Sequence, residues 1–264
     1  MASDGYRITP ERFTDRMNVL IYGDPGSGKT FLAGTCQDSP QMADVHFFNI
    51  DGGMMTLAQR GDISATDVHS VDDLEREMHR IAAGDEKYAG VRTVVIDNVT
   101  ELQTLALEGI TTAEYSDRKR KDRTYTIDQV YLEDYGLAGK QIARVLRGFR
   151  DLPVHVIYIA HRKDRMRPGT NVLDESKPNL TEKLCTSVMG YMDFCWYLYV
   201  ADEQIQEGDS FRTETHRYLL TQPMNSFAAK TRGSRFAEAL GPVVRDPSMA
   251  EIMQVYMSVN SDNQ

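Results

Sequence analysis

The chain has 264 residues, 41% of them hydrophobic and 26% charged, with a formal net charge of −9. That balance belongs to a globular protein with room for one large α/β domain, and it excludes a broadly polyanion-seeking surface while leaving space for a local basic groove. No apolar run approaches the ~20 residues needed to span a bilayer, and the first 16 residues hold no apolar signal core, so a cytoplasmic setting is expected. Cys36, Cys185 and Cys195 are odd in number and lack CxxC spacing, which points to reduced thiols in or near the core rather than a disulfide framework or a zinc site.

Residues 1–16 read as an N-terminal segment, residues 17–258 as one domain, and residues 259–264 as a disordered tail. Four short apolar runs bounded by polar or glycine residues predict buried strands: MNVLIYG at 17–23, VHFFNID at 45–51, RTVVID at 92–97 and VHVIYIAH at 154–161. Helical patterns lie between them. Leu74, Met78, Ile81 and Ala82 share a face behind a capping pair, Ser70 and Asp73. Ile142, Val145, Leu146 and Phe149 mark another helix, stopped before Pro153. Alternating strands and helices imply a mainly parallel sheet covered on both faces. After residue 185 the rhythm changes. Two strand-like runs, 191–200 and 216–223, flank the polar ADEQIQEGDSFRTET and predict an antiparallel addition to the sheet. A last helix starts near Asp246 and Pro247.

The first strand runs into Gly23, Asp24, Pro25, Gly26, Ser27, Gly28, Lys29 and Thr30, which fit GxxxxGK[ST] between a strand and a helix. Glycines let backbone N–H groups converge on phosphate oxygens, and the helix start adds a favourable dipole. Lys29 is expected to reach the β- and γ-phosphates of ATP, Thr30 to ligate Mg²⁺, and Phe31 to border the site. TVVIDN supplies Asp97 at a strand end as the second Mg²⁺ group. Asn98 follows it, so the adjacent acidic base typical of AAA+ proteins is missing, and the lack of an [NT]KxD motif disfavours a GTPase.

In this order the motifs resemble the RecA-like P-loop ATPase core, and the ensemble IDGG, VIDN, IAHRK, MDFCWYL and RYLLTQPMNSFAAKTR is similar to phage-encoded ATPases of the single-strand annealing or recombinase kind. The resemblance implies that Asp51, ending the second strand, activates water, although the family normally has glutamate there. It implies that His161, ending the fourth, senses the γ-phosphate. It also implies that Lys230 and Arg232, in AAKTR, resemble the KxR element that such assemblies insert into a neighbour's ATP site. Single-stranded DNA, further copies in a filament or ring, and a single-strand-binding protein are the implied partners, in the cytoplasm of a host cell if the chain is phage-encoded.

Loops after strands three and four carry DNA contacts in that family. Arg118, Lys119, Arg120, Lys121, Arg123 and Tyr125 occupy the first place here, and Arg162, Lys163, Arg165 and Arg167 the second. Two other readings stand beside this one. A ring-forming helicase or helicase-loading motor would normally carry a second domain. A small-molecule phosphotransferase would use DRKRKDR (117–123) as an arginine-rich lid and would be indifferent to DNA.

Overall fold

The computed structural model describes residues 16–207 and 210–261. The four apolar runs form β1 (Asn18–Gly23), β2 (Val45–Asn49), β4 (Thr93–Asp97) and β5 (His155–Met166), and a short β3 (Ser64–Asp67) joins them at one edge. β1 and β4 are buried along their whole length. That burial is why they read as unbroken apolar runs instead of alternating ones. β7 (Phe194–Glu207) pairs with β1 in parallel, while β8 (Ser210–Leu220) and β10 (Val243–Arg245) close the far edge antiparallel. The path is β10-β8-β7-β1-β5-β4-β2-β3, with β6 (Leu173–Pro178) paired to β5 and β9 (Lys230–Thr231) to β7. The expected class, a mainly parallel α/β sheet with antiparallel strands in the C-terminal third, is the one found.

Alternation along the strands fills two apolar layers. Leu20, Tyr22, Val94, Ile96, Val156 and Tyr158 pack under α2 (Val71–Ala82), α3 (Val99–Lys121), α4 (Leu132–Arg150) and α5 (Glu182–Tyr191). Val19, Ile21, Val95, Ile157, Ile159 and Trp196 pack under α1 (Lys29–Gly34), α6 (Ser234–Leu240) and α7 (Met249–Ser261). Ser70 caps α2 as its sequence predicts, accepting from the Asp73 N–H at 3.1 Å. Cys36, Cys185 and Cys195 are free thiols, all buried.

Several boundaries differ from the sequence reading. β5 continues five residues past His161 and turns into β6, so the basic segment there is a hairpin, not a loop. Residues 117–121 belong to the end of α3 itself rather than to a connection before a helix. Residues 201–207 and 210–215 of the polar segment are strand: β7 and β8 pair from Tyr197–Leu220 out to Glu207–Ser210 as a ribbon that outruns the sheet. Tyr191 closes α5 instead of opening β7. α7 extends through Ser261, so residues 259–261 of the expected disordered tail are helical. Residues 1–15 and 262–264 lie outside the described residues. Among those described, no helix is long and apolar enough to cross a membrane.

Candidate functional site

Every motif on β1, β2, β4 and β5 emerges at the carboxyl ends of parallel strands, the edge where open α/β sheets place ligands. β5 lies between β1 and β4, with His161 in register with Gly23 and Ile159 with Asp97. The third and fourth motif strands therefore sit beside the phosphate loop as a contiguous wall.

The loop between β1 and α1 depends on its glycines. A Cβ on Gly23 would lie 2.2 Å from the Leu198 carbonyl oxygen of β7, and Gly26 and Gly28 have φ of 79° and 96°. Gly28 is the N-cap of α1, so the first helical amides open toward the cleft. Lys29 Nζ donates to the carbonyls of Gly23 at 3.1 Å and Asp24 at 2.8 Å. Burial lowers the Lys29 pKa, against the opposing pull of Asp97, Asp24 and Asp51. Thr30 Oγ1 donates to Asp97 Oδ2 at 2.6 Å. Asp97 is 2% exposed, and burial raises its carboxyl to about 6 although the Thr30 hydrogen bond opposes the rise.

Asn98 links the remaining groups. Its Nδ2 donates to Asp51 Oδ2 at 2.5 Å and lies 3.3 Å from His161 Nε2, while its Oδ1 caps α3 by accepting from the Glu101 N–H at 2.8 Å. Asp51 Oδ1 accepts from the Gly53 N–H at 2.9 Å. The His161 pKa is lowered by burial and by the Lys29 charge, so the ring is neutral near pH 7 and its Nε2 can accept from Asn98. Its backbone N–H donates to Thr100 Oγ1 at 3.0 Å. These residues line one cleft of about 370 Å³ with Pro25, Gly26, Phe31, Thr56 and Arg217.

The donor set fits a nucleotide with Mg²⁺. Left-handed glycines open the loop, a lysine and a hydroxyl–carboxylate pair face the cleft, and two buried polar atoms, Ser27 Oγ and His161 Nδ1, have no hydrogen-bond partner. Mg²⁺ held by Thr30 and Asp97 would neutralise charge on the β- and γ-phosphate oxygens.

The remaining expected residues are dispersed. Lys230 and Arg232 lie at the opposite end of the strands, because Lys230 pairs with Cys195 near the start of β7. They hold their own chain: Lys230 Nζ donates to the Met189 carbonyl at 2.7 Å, and Arg232 bonds Asp193 at 2.8 Å and the Gly190 carbonyl at 2.9 Å. Neither can serve the Lys29 site of the same chain.

Two residues of the first basic cluster are corrected. Arg118 forms a bidentate pair with Asp134 at 2.6 and 2.8 Å, the side chains being 8% and 0% exposed, and Tyr125 is wholly buried above it. Neither has a face for DNA, since the charge and the ring are consumed in joining α3 to α4. Lys119 Nζ donates to the Tyr125 carbonyl at 2.8 Å, and Arg120 pairs with Asp117 at 3.1 Å; Lys121 and Arg123 are exposed. The cluster ends a 23-residue helix that starts beside Asp97, which places it about 30 Å along the axis from Asp97, too far for a phosphotransferase lid.

In the second cluster Arg162 is corrected too. Its guanidinium bonds Asp24 at 3.1 Å, Asp164 at 3.2 Å and the Tyr197 hydroxyl at 2.6 Å, tying the hairpin root to the phosphate loop. Arg165 pairs with Asp174 at 2.9 Å, and Lys163 and Arg167 are exposed. Sequence reasoning missed two cleft residues. Asn98 registers there only as the wrong residue for a base, and Arg217 arrives from a distant strand with no motif around it.

Sheet order, phosphate loop and the pairing of Thr30 with the buried Asp97 define a P-loop nucleoside triphosphatase. Residues 15–233 match the family model described as an AAA domain, and the chain belongs to that family. No curated protein matches it.

Proposed function

We propose that this protein is an ATPase that acts on single-stranded DNA as an assembly of copies, in the manner of a phage-type recombinase or annealing protein. The observation that carries the reading is the continuity of β5, which passes from His161 in the nucleotide cleft straight into the β5–β6 hairpin bearing Lys163, Arg165 and Arg167. Arg162, at the root of that hairpin, holds Asp24 of the phosphate loop. A change at the γ-phosphate position therefore has a direct mechanical path to a cation-bearing surface.

In this mechanism Lys29 binds the β- and γ-phosphates, and Thr30 and Asp97 hold the metal. Asp51 orients the attacking water, kept in place by Asn98. His161 reads the γ-phosphate through the same amide. Lys230 and Arg232 act in trans: released from Met189, Gly190 and Asp193, they meet the cleft of an adjacent copy and stabilise charge developing on the phosphoryl oxygens. A helicase-loading motor is the neighbouring reading.

ATP turnover measured with and without single-stranded DNA, at several protein concentrations, tests the proposal. Turnover should rise with both. A rate indifferent to DNA and to concentration would exclude it while leaving the ATPase domain intact.

A further inference from the structure

We infer that Arg217, together with Phe31, forms the α-phosphate and nucleoside end of the nucleotide site within the same chain, a cation distinct from the trans pair and from the γ-phosphate group of Asp51, Asn98 and His161. The inference rests on the nucleotide-binding half of the function proposed above.

Three observations place it. The first is register. Gly23 of β1 lies beside Leu198 of β7, and β8 pairs Leu219 with Leu198 and Arg217 with Val200. Arg217 thus stands two residues beyond the level at which β1 breaks into the phosphate loop. It projects to the same side as Leu219, which packs in the layer covered by α1. The ribbon that outruns the sheet carries a guanidinium over the loop.

The second is contact. Arg217 Nε would lie 2.5 Å from a Cβ on Gly28, and the guanidinium carbon sits 6.0 Å from the centre of the Phe31 ring. Phe31 is 52% exposed, an unusual state for phenylalanine one residue after the metal-binding threonine. Among the described residues the Arg217 guanidinium makes no salt bridge, whereas Arg162 and Arg118 are each held by carboxylates. Its backbone is fixed: Arg217 N–H donates to Asp246 Oδ1 at 3.0 Å and its carbonyl accepts from the Asp246 N–H at 2.7 Å. A cation on an anchored strand, lining a phosphate cleft without its own counter-charge, is placed for an anionic ligand.

The third is flank, which decides the end of the nucleotide. β1 has β5, β4 and β2 on one side, bearing His161, Asp97 and Asp51, and β7 and β8 on the other. The reactive phosphate faces the first side. Arg217 approaches from the second, above Gly28 and Phe31, where the non-transferred part of the molecule leaves the loop. It therefore contributes to holding ATP and ADP alike and not to the hydrolytic step, which is uniform binding in kinetic terms.

Titration of ATP and of ADP, each with Mg²⁺ and without DNA, into the wild-type chain and the Arg217→Ala and Arg217→Gln variants tests this. Both Kd values should rise by about tenfold or more and by the same factor, with the single-turnover hydrolysis rate at saturating ATP unchanged. Arg217→Lys should recover part of the loss, and melting without nucleotide should match wild type because the Asp246 bonds are made by backbone. Unchanged Kd values would overturn the inference, and so would slowed hydrolysis with ADP affinity intact, which would move Arg217 to the γ-phosphate. Lys29→Ala separates the two levels of argument. If wild type binds nucleotide in a Lys29-dependent way but DNA leaves turnover unchanged, the DNA reading falls and the Arg217 site stands. If wild type binds no nucleotide, both fall.

Discussion

Asp97 shows how a functional residue carries a stability cost. Its carboxyl is raised from 3.8 to about 6, chiefly by burial, so the folded chain prefers the protonated form. Stability through this group is therefore greatest below pH 3.8, declines as pH rises toward 6, and stays reduced above it. The shift corresponds to about 3 kcal/mol at neutral pH, an upper figure for a group Mg²⁺ would relieve. Asp97→Asn should raise the metal-free melting temperature at pH 7.5 and flatten its fall between pH 4 and 6, while abolishing turnover; melts across that range check both. Arg118 is the opposite case. Its bidentate pair with Asp134 is buried, so Arg118→Ala leaves a carboxylate without its partner and should destabilise by about 3 kcal/mol in denaturant titration. Lys121→Ala and Arg123→Ala, at exposed positions, should leave stability within about 0.5 kcal/mol of wild type.

At the scale of elements, the β5–β6 hairpin matters most. Its cations face nearby acids, Arg165 with Asp174 and Glu175 of the same hairpin, and Lys177 with Glu175 and with Glu182 at the start of α5, so the segment is far less positive than its sequence reads. Lys163 and Arg167 remain exposed. If the hairpin holds a single strand, neutralising each should reduce the slope of log K against log salt by about 0.7, the value for one lost phosphate contact on single-stranded DNA. An unchanged slope would remove the hairpin from the interface. His46 shows how an edge is held: β3 stays on β2 through His46 Nδ1 to Ser64 Oγ at 2.7 Å and Nε2 to Thr66 Oγ1 at 2.9 Å. Burial lowers that imidazole to about 4. The contribution is present above pH 6.5 and fades as pH falls toward 4, so the protection factors of the β3 amides, taken relative to intrinsic exchange at each pH, should drop over that interval before those of the central strands.

At the scale of the whole molecule, the cleft and the pair Lys230 and Arg232 lie at opposite ends of the strands, so the trans contact proposed above requires a second copy. On that proposal, mixing Lys29→Ala with Arg232→Ala chains should restore part of the activity each lacks, because a fraction of interfaces would then join an intact cleft to an intact pair. No recovery from chains that still assemble would end the trans reading. Turnover per chain should also rise with concentration until assembly saturates.

The sequence by itself determined the fold class and the phosphate loop, because both rest on local signals. Strands buried on both faces must be apolar throughout, and a loop that turns twice through the left-handed region while β7 passes close by must be glycine at fixed spacing. The same locality explains its errors. It could not tell an exposed arginine from Arg118, whose partner Asp134 is 16 residues away, nor foresee that Arg162 closes on Asp24. Asn98 looked like an absence until the fold put it between Asp51 and His161, 47 and 63 residues distant. Only the tertiary structure brought Arg217 to Gly28, because the register of β7 with β1 and of β8 with β7 sets that proximity, and register is a property of paired strands that neither strand encodes alone.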